Sequence, residues 1–447
     1  MIEMPLSSIF RFFNILCADA SCPINAFTEV SDLNKLSRGL AVFVNEADPY
    51  DKVMRLETND QQSFIDLTIF NNWTIYIDYI NRESVDGEVL AWVSNNHEKI
   101  PAIVRKNNLV VFNFNPESII HTLLNESHYI QHLPLIVRLP LHYHYIPGFI
   151  RRIVLQVLTT YSSSKNENSF PDWPSDFSVD KLRLLVRNFY YALNKQNIPR
   201  LSNNVRLVAL SHDVDSAQGF KNISKIVEVE RKMGVRSTFN IVPNRYAIDF
   251  NLLRKLEDEG FEIGIHGHDH SGRLPFKPAI VQQKLLKDAV KSFQSLDVRG
   301  FRSPSLFRTP YLFEALEKVF EYDSSVPDTE NYTRNTSFNG VATCFPYYRG
   351  KLLEIPLSLP QDAVLLALRK NTNEMLKIWI NKLDAINTFG GMGVLNTHPE
   401  PHFTGNKKML ALYEKFILHL KEKNYQICTM IELCRYWKSH LSGQSFG

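Results

Sequence analysis

The chain has 447 residues, more than one ordinary hydrophobic core organises, so we expect two domains. Its 44% hydrophobic and 22% charged residues are typical of a globular protein. The net charge is only +3 and the Lys and Arg residues are scattered. This argues against a nucleic-acid partner, because proteins that bind nucleic acid carry a basic face.

The sequence predicts neither a membrane span nor a signal peptide. No run approaches the ~18–20 apolar residues of a membrane span, so we expect no transmembrane segment. Glu3 and Arg11 lie in or beside the apolar N-terminal stretch, which therefore differs from a signal peptide and is predicted to be a helix. The five cysteines form no CxxC pair and no zinc-ribbon spacing. We expect a cytoplasmic protein with reduced cysteines.

Residues 1–145 predict a small mixed domain rich in strands. The segments FIDLTIF, WTIYIDYI, EVLAWVS and NLVVFNF alternate or are rich in β-branched and aromatic residues, with Asn, Asp and Gly turns between them. His142 and His144 would lie on one side of a strand, but without a third ligand nearby we favour packing over metal binding. The domain could position substrate, recognise a partner or support a homo-oligomer.

Residues 146–204 predict a helical connector. The segment FIRRIVLQVLTTY has helical periodicity and is followed by the polar SSSKNENS and the Pro-rich FPDWPSD, a candidate inter-domain loop. The segment SVDKLRLLVRNFYYALNKQ predicts a further helix, with Ser178 as its N-cap.

Residues 205–442 change to a regular alternation of short apolar strands and amphipathic helices. Strands such as RLVALSH, RSTFNIV, FEIGIH and GMGVLNT alternate with helices such as ISKIVEVERKMG and EMLKIWINKLDAI. Strand–helix alternation over more than two hundred residues predicts a parallel α/β domain, either open or closed into a barrel.

Polar side chains follow successive strands of this second domain, at the edge where parallel α/β folds place their sites. Each alone has an ordinary explanation, such as a helix cap, a loop residue or an ion pair. Their coincidence favours a metal-assisted hydrolase, since carboxylate and imidazole suit zinc, cobalt or nickel. The residues at these strand ends are Asp213, Asp215, His266, His270, Arg302 and His398.

Asp213 and Asp215 raise a specific question, because residues two apart on a strand point to the same side. Two carboxylates in one small volume repel each other unless a cation or a proton intervenes. His212 alternates away from them and is predicted to be structural.

Four motifs occur in a recognisable order: ALSHDVD, EIGIHGHDH, Arg302-Ser303-Pro304 and a strand that ends in LNTH at His398. With GVRSTFNIVP and LLEIPLSLPQD, they make the region from about Arg206 to Trp437 resemble the polysaccharide deacetylase family, the NodB-homology or carbohydrate esterase 4 domain. The resemblance implies a distorted (β/α) barrel, preceded here by the smaller strand-rich domain.

The resemblance implies one divalent metal ion, zinc in the first place, with cobalt and nickel as alternatives. Its ligands would be Asp215, His266 and His270. His268 and Asp269, which lie between the two histidines, are predicted to be loop residues around the ligands.

The resemblance also implies an acid–base pair for amide hydrolysis. Asp213 would be the general base, and Arg302 would keep it oriented and ionised by a charge-assisted hydrogen bond. His398 would be the general acid that protonates the departing amine. Asp323 is predicted to orient His398.

The substrate side departs from the family pattern. A backbone N–H near Ser305 would help to hold the tetrahedral oxyanion, and Pro304 and Leu395 are carried over as substrate-binding residues. Ser305 stands where the family commonly has an aromatic residue, and no Trp follows Asp323.

The expected function is removal of the acetyl group from an N-acetylated amino sugar in a glycan or glycan precursor. One alternative is an amidohydrolase of the same fold that acts on a cyclic or other non-sugar amide. Another is a carbohydrate-binding relative without turnover, which the joint presence of base, acid and ligands disfavours.

Overall fold

The computed structural model describes the ranges 27–30, 38–43, 48–58, 73–81, 86–94, 97–126, 173–193, 206–329 and 340–442. Four predicted features lie outside these ranges: the N-terminal helix, the strand FIDLTIF, the helix FIRRIVLQVLTTY and the pair His142 and His144. Among the helices of the described ranges, none has the length and apolar composition that crossing a membrane requires.

Seven strands of the first part of the chain form one mixed sheet. In chain order they are β1 (Phe27–Val30), β2 (Arg38–Phe43), β3 (Asp48–Thr58), β4 (Trp73–Ile80), β5 (Glu88–Ser94), β6 (Lys99–Lys106) and β7 (Asn108–Phe112). Their spatial order is β1-β2-β7-β6-β5-β3-β4, with β1, β2 and β7 parallel and the remaining pairs antiparallel.

The predicted strands at β4, β5 and β7 are confirmed, whereas β1, β2, β3 and β6 were not predicted. Strand β6 shows why a strand of this sheet could be missed from sequence alone. Pro101 interrupts its apolar run and Lys99 and Lys106 flank it, a pattern that argues against a strand when read locally. Pairing with β5 and β7 on both sides overrides that local preference.

Two helices pack on each other and on strand β4. Helix α1 (Pro116–Leu124) begins after Asn115, whose side chain accepts hydrogen bonds from the N–H groups of Glu117 and Ser118. These two hydrogen bonds satisfy backbone N–H groups that have no carbonyl partner within the helix. Helix α2 (Ser178–Leu193) begins at Ser178, which donates its N–H to the Asp176 carboxylate.

Nine strands of the second part form another sheet. They are β8 (Leu207–Val214), β9 (Thr238–Ile241), β10 (Glu262–His266), β11 (Gly300–Arg302), β12 (Tyr322–Asp323), β13 (Tyr347–Arg349), β14 (Leu352–Glu354), β15 (Gly393–Thr397) and β16 (Gln426–Cys428). The order is β13-β14-β12-β11-β10-β9-β8-β15, and β16 pairs with the start of β8. Every pair is parallel except β13 with β14.

Helices alternate with these strands, so the predicted parallel α/β domain is confirmed. The helices are α3 (Ala217–Met233), α4 (Phe250–Asp258), α5 (Ala279–Ser292), α6 (Pro310–Leu316), α7 (Asp362–Ala367), α8 (Thr372–Phe389), α9 (Lys407–Glu422) and α10 (Met430–Ser442). Among the described residues, the end strands β13 and β15 do not pair with each other, so the hydrogen bonds follow an open path.

The parallel strands bring their carboxyl ends to one edge of the sheet. Strand β8 places Asp213 opposite Asn240 of β9, and it lies between β9 and β15. Strand β10 places His266 opposite Arg302 of β11. The sheet register therefore collects the predicted site residues at this edge.

Candidate metal centre and acid–base site

Asp213 is held by donors from three other strands of the sheet, β9, β11 and β15. Its Oδ1 accepts hydrogen bonds from Asn240 Nδ2 at 2.8 Å and from Arg302 NH1 at 3.2 Å. Its Oδ2 accepts one from Asn396 Nδ2 at 2.8 Å. The carboxylate is only 2% exposed. Its orientation is therefore fixed on every side by the sheet itself.

The charges around Asp213 keep it ionised. Burial alone raises the pKa of this carboxyl. The guanidinium of Arg302 and the imidazoles of His266 and His398 outweigh burial, so the pKa lies below its usual value. Arg302 is fixed in turn, because Nε donates to Ser324 O at 2.8 Å and NH2 donates to Ser324 Oγ at 2.9 Å.

Asp215, His266 and His270 come together beside Asp213. One ligand atom from each of these three lies within 4.8 Å of the others. Oδ1 of Asp215 lies 3.3 Å from Nε2 of His266 and 2.9 Å from Nε2 of His270. Nε2 of His266 lies 3.9 Å from Oδ2 of Asp213, so the general-base candidate adjoins the cluster.

The two imidazoles present the nitrogen that a cation needs. Nδ1 of His266 lies 3.0 Å from the Arg302 carbonyl oxygen, which accepts its proton and leaves the lone pair of Nε2 facing Asp215. His270 sits at φ +56° in the loop after β10. Burial lowers the pKa of His270 against the opposing pull of Asp215, which favours the neutral, ligating form.

These three residues fit a divalent metal ion. Oδ1 of Asp215 is buried and receives no hydrogen bond of good geometry among the described residues, although two imidazole nitrogens face it. A buried carboxylate oxygen without a donor is unfavourable, and a cation shared with the two nitrogens would satisfy it. The donor set, one carboxylate and two imidazoles, suits zinc, cobalt or nickel.

Comparison with known proteins agrees with this constellation. The polysaccharide deacetylase family matches residues 201–323, a stretch that contains the three clustered residues, Asp213 and Arg302. His398 lies beyond the matched stretch. A search of the curated proteins finds no match.

Solved structures resemble this chain at low identity. A putative polysaccharide deacetylase from Mycobacterium smegmatis is 17% identical, aligns with 54% of this chain and 92% of its own, and has a TM-score of 0.44. A family 4 acetyl xylan esterase from Clostridium thermocellum, in complex with a cobalt ion, has 20% identity, coverages of 54% and 93%, and a TM-score of 0.36. A CE4 family pseudoenzyme from Bacillus anthracis is 15% identical, aligns with 54% of this chain and 71% of its own, and has a TM-score of 0.37.

The partner of His398 is Asp362, at the start of α7. Nδ1 of His398 lies 2.7 Å from Oδ1 of Asp362, and the His398 backbone N–H donates to Oδ2 at 3.0 Å. Burial lowers the pKa of His398, but Asp362, Asp215 and Asp213 outweigh it and raise the pKa to about 10. The imidazole is therefore held in its protonated form.

The prediction that Asp323 orients His398 is wrong. Asp323 is completely buried and accepts hydrogen bonds from Ser325 Oγ at 2.6 Å and from Ser325 N at 3.2 Å. Asp323 lies opposite Glu354 in the parallel pairing of β12 with β14. Burial raises the pKa of Glu354, and the negative charge of Asp323 raises it further. Asp323 therefore fixes the segment after β12 that binds Arg302, because Ser324 belongs to the same segment.

The remaining predicted residues lie around this site. His212 is buried, with Nδ1 2.7 Å from Thr397 Oγ1 and Nε2 3.1 Å from Glu230 Oε1, which confirms its structural role. His268 and Asp269 are partly exposed and lie in the loop between the clustered histidines.

The substrate-side residues differ in exposure. Pro304 is buried, and Ser305 is exposed with φ +55° in the turn after β11. Leu395 is completely buried in β15, where its carbonyl accepts from Ser211 Oγ at 3.0 Å. Their contact with substrate remains a prediction.

Four residues of this site were missed at the sequence level. Asn240 and Asn396 end strands beside Asp213, and a search for polar residues at every strand end would have found both. Asp362 is the last residue of the quoted segment LLEIPLSLPQD, so the sequence already showed a carboxylate after a late strand. Glu400 accepts from the backbone N–H groups of Asp215 and Ser216 at 2.9 and 3.1 Å.

Proposed function

We propose that this protein is a metal-dependent deacetylase that removes the acetyl group from an N-acetylated amino sugar in a glycan or glycan precursor. One observation carries the proposal. An ionised carboxylate, Asp213, and a protonated imidazole, His398, share an edge of the sheet with a three-residue cluster that fits a divalent cation. Metal-assisted amide hydrolysis uses this combination of base, acid and cation.

A bound divalent cation would supply Lewis acidity toward the amide carbonyl and lower the pKa of the attacking water. Asp213 would accept the proton of that water, since its donors leave it ionised and immobile. The backbone N–H at Ser305 would stabilise the negative charge that develops on the carbonyl oxygen.

His398 would complete the reaction by protonating the departing amine. An amine leaves an acyl carbon poorly unless a proton reaches its nitrogen as the bond breaks. The pKa of about 10 keeps His398 charged at neutral pH, ready to donate from Nε2 while Nδ1 is held by Asp362. Asp362 thus maintains the orientation and the charge of the acid.

The family match supports an acetylated carbohydrate as substrate. Ser305 is smaller than the aromatic residue expected at this position, which would leave more room beside the acetamide and fewer stacking contacts with a sugar ring. A substrate with an attached group, such as a glycan precursor, would use that room.

Acetate release from a panel of N-acetylated sugars, oligosaccharides and sugar precursors tests the proposal, with and without a chelator. We expect release from at least one substrate, loss of release on chelation, and recovery when zinc or cobalt is added back. Activity confined to hydantoin-like rings would contradict sugar deacetylation and favour the cyclic-amide alternative. Binding of acetylated sugar by the metal-loaded protein without any acetate release would contradict catalysis itself.

A further inference from the structure

The loop after β11, residues 303–309, has an unusual backbone. Ser305 and Leu306 both have φ of +55°. This is the left-handed backbone region, which residues other than glycine and asparagine rarely adopt. Two such residues in succession persist only when their surroundings hold them. The contacts of this loop therefore decide whether it keeps its conformation.

Part of the support comes from the second part of the chain itself. Ser303 donates its N–H to Ser325 Oγ at 2.8 Å, and Thr309 Oγ1 donates to the Pro275 carbonyl at 2.9 Å. These bonds fix the two ends of the loop. At its centre, Arg308 NH1 donates to the carbonyl of Leu306 at 2.8 Å, so a guanidinium holds one of the two strained residues.

The charge that holds Arg308 comes from the first part of the chain. Nε of Arg308 lies 2.9 Å from Oε2 of Glu126, and NH2 donates to Oε1 of the same carboxylate. Arg308 is completely buried and Glu126 is 4% exposed. Arg349 NH2 also donates to Oε2 of Glu126, at 3.1 Å. A buried guanidinium requires such a paired carboxylate.

The same loop packs against the segment that carries His270. A Cβ atom on Gly267 would overlap the ring of Pro304, and one on Gly272 would lie 2.8 Å from the Phe307 ring. These two contacts lie on either side of His270 in the chain. A displacement of the 303–309 loop would therefore displace the His270 imidazole as well as the Ser305 N–H.

We propose that Glu126 is a positioning residue for the candidate metal centre, acting through Arg308 on the 303–309 loop. The first part of the chain would thus set the geometry of a site whose other residues all come from the second part. The effect on turnover rests on the proposed function; the effect on metal binding does not.

Two variants test this proposal. Glu126→Gln removes the buried charge at nearly constant shape. Arg308→Lys keeps a positive charge opposite Glu126 but cannot hold both the carboxylate and the Leu306 carbonyl, so it tests the same contact if the first variant folds poorly. Asp180→Asn is the matched control. Asp180 is also a buried carboxylate of the first part, and it accepts from Thr343 Oγ1 at 2.6 Å and from Cys344 N at 2.9 Å, away from the loop.

The measurements are Tm, the dissociation constant for Zn²⁺ added to the metal-free full chain, and kcat and KM for acetate release. We expect all three variants to lower Tm, because each disturbs a buried polar contact. Only Glu126→Gln and Arg308→Lys should weaken Zn²⁺ binding, by about tenfold or more, as loss of support around a metal ligand does. They should lower kcat more than they raise KM, by roughly tenfold to a hundredfold.

The outcomes separate this proposal from the proposed function. Unchanged Zn²⁺ affinity in the two loop variants, with Tm lowered as in Asp180→Asn, would overturn the positioning role. Equal loss of affinity in all three variants would overturn it as well, since the effect would then be general destabilisation. If the unmodified protein releases no acetate, the proposed function fails, and the Zn²⁺ affinities still decide the role of Glu126.

Discussion

Nδ1 of His398 lies 2.7 Å from Oδ1 of Asp362, and both side chains are buried at the carboxyl edge of the parallel sheet. The second oxygen of Asp362 accepts hydrogen bonds from Thr404 Oγ1 at 2.7 Å and from the His398 N–H at 3.0 Å. Asp362 therefore fixes the ring of His398. Burial lowers the pKa of His398, and Asp362 has the largest effect of the carboxylates that raise it to about 10.

Asp362→Asn should shift the alkaline limit of activity to lower pH. His398 acts in its protonated form, so activity is lost as pH rises through its pKa, which is about 10 with the carboxylate present. Without the Asp362 carboxylate, the pKa of His398 falls towards the ordinary value of ~6.5, and the alkaline limit of activity moves to lower pH with it. We also expect kcat to fall by about 10²- to 10⁴-fold. The measurement is kcat as a function of pH.

Thr404→Val is the matched control, because it removes one hydrogen bond to Asp362 and keeps the carboxylate. Its alkaline limit should stay near that of the unmodified protein. An Asp362→Asn profile that overlies the unmodified one would exclude His398 as the general acid.

Substitutions in the cluster should separate metal binding from proton transfer. Asp215→Ala, His266→Ala and His270→Ala should each lose tightly bound metal, because each removes one of three ligands. Asp213→Asn should keep the metal and abolish turnover, since the base is lost. Metal content by elemental analysis and acetate release measure the two effects.

His268→Ala serves as the control for the cluster. This histidine lies in the same loop between His266 and His270 but is partly exposed and outside the cluster. Its metal content should be unchanged. Full metal content in all three ligand variants would show that the cation site has been assigned to the wrong residues.

Arg302→Met should shift the acidic limit of activity to higher pH. Asp213 acts ionised, so activity is lost as pH falls through its pKa. Burial raises that pKa and Arg302 lowers it, so removing the guanidinium raises the pKa and activity is lost at a higher pH. Breaking this buried pair should also destabilise the protein by about 3–5 kcal/mol. Arg302→Lys keeps the charge and should shift the limit less. An unmoved acidic limit in kcat/KM would contradict the role of Asp213.

Gly219→Ala should destabilise the protein, against the usual preference of a helix for alanine. Helix α3 would ordinarily gain about 0.5–1 kcal/mol from this change. Here a Cβ atom would overlap Oε1 of Glu400, the atom that accepts from the backbone N–H groups of Asp215 and Ser216. We expect an overpacking loss of about 1–3 kcal/mol in urea unfolding.

The double variant Gly219→Ala/Glu400→Ala isolates this contact. The two losses should not add, because removing the carboxylate removes the overlap. Additive losses would show that the glycine is required for another reason.

The second part of the chain was readable from its sequence because its signals are local. Alternating strands and amphipathic helices predicted the parallel sheet, and the positions at the carboxyl ends of strands indicated a site with Asp213, Asp215, His266 and His270. The first part was less readable. Strand β6 carries a proline and flanking lysines, and only its partners on both sides make it a strand.

The sequence by itself determined which residue types stand at which strand ends, because strand periodicity and parallel topology are written in short segments. Only the tertiary structure decided which of these side chains contact each other. Asp362 rather than Asp323 contacts His398, although the sequence predicted Asp323 for this role. Glu126 reaches Arg308 from 182 residues away in the chain. Such pairings depend on the register of distant strands and on contacts between segments far apart in the chain, and no local pattern encodes either.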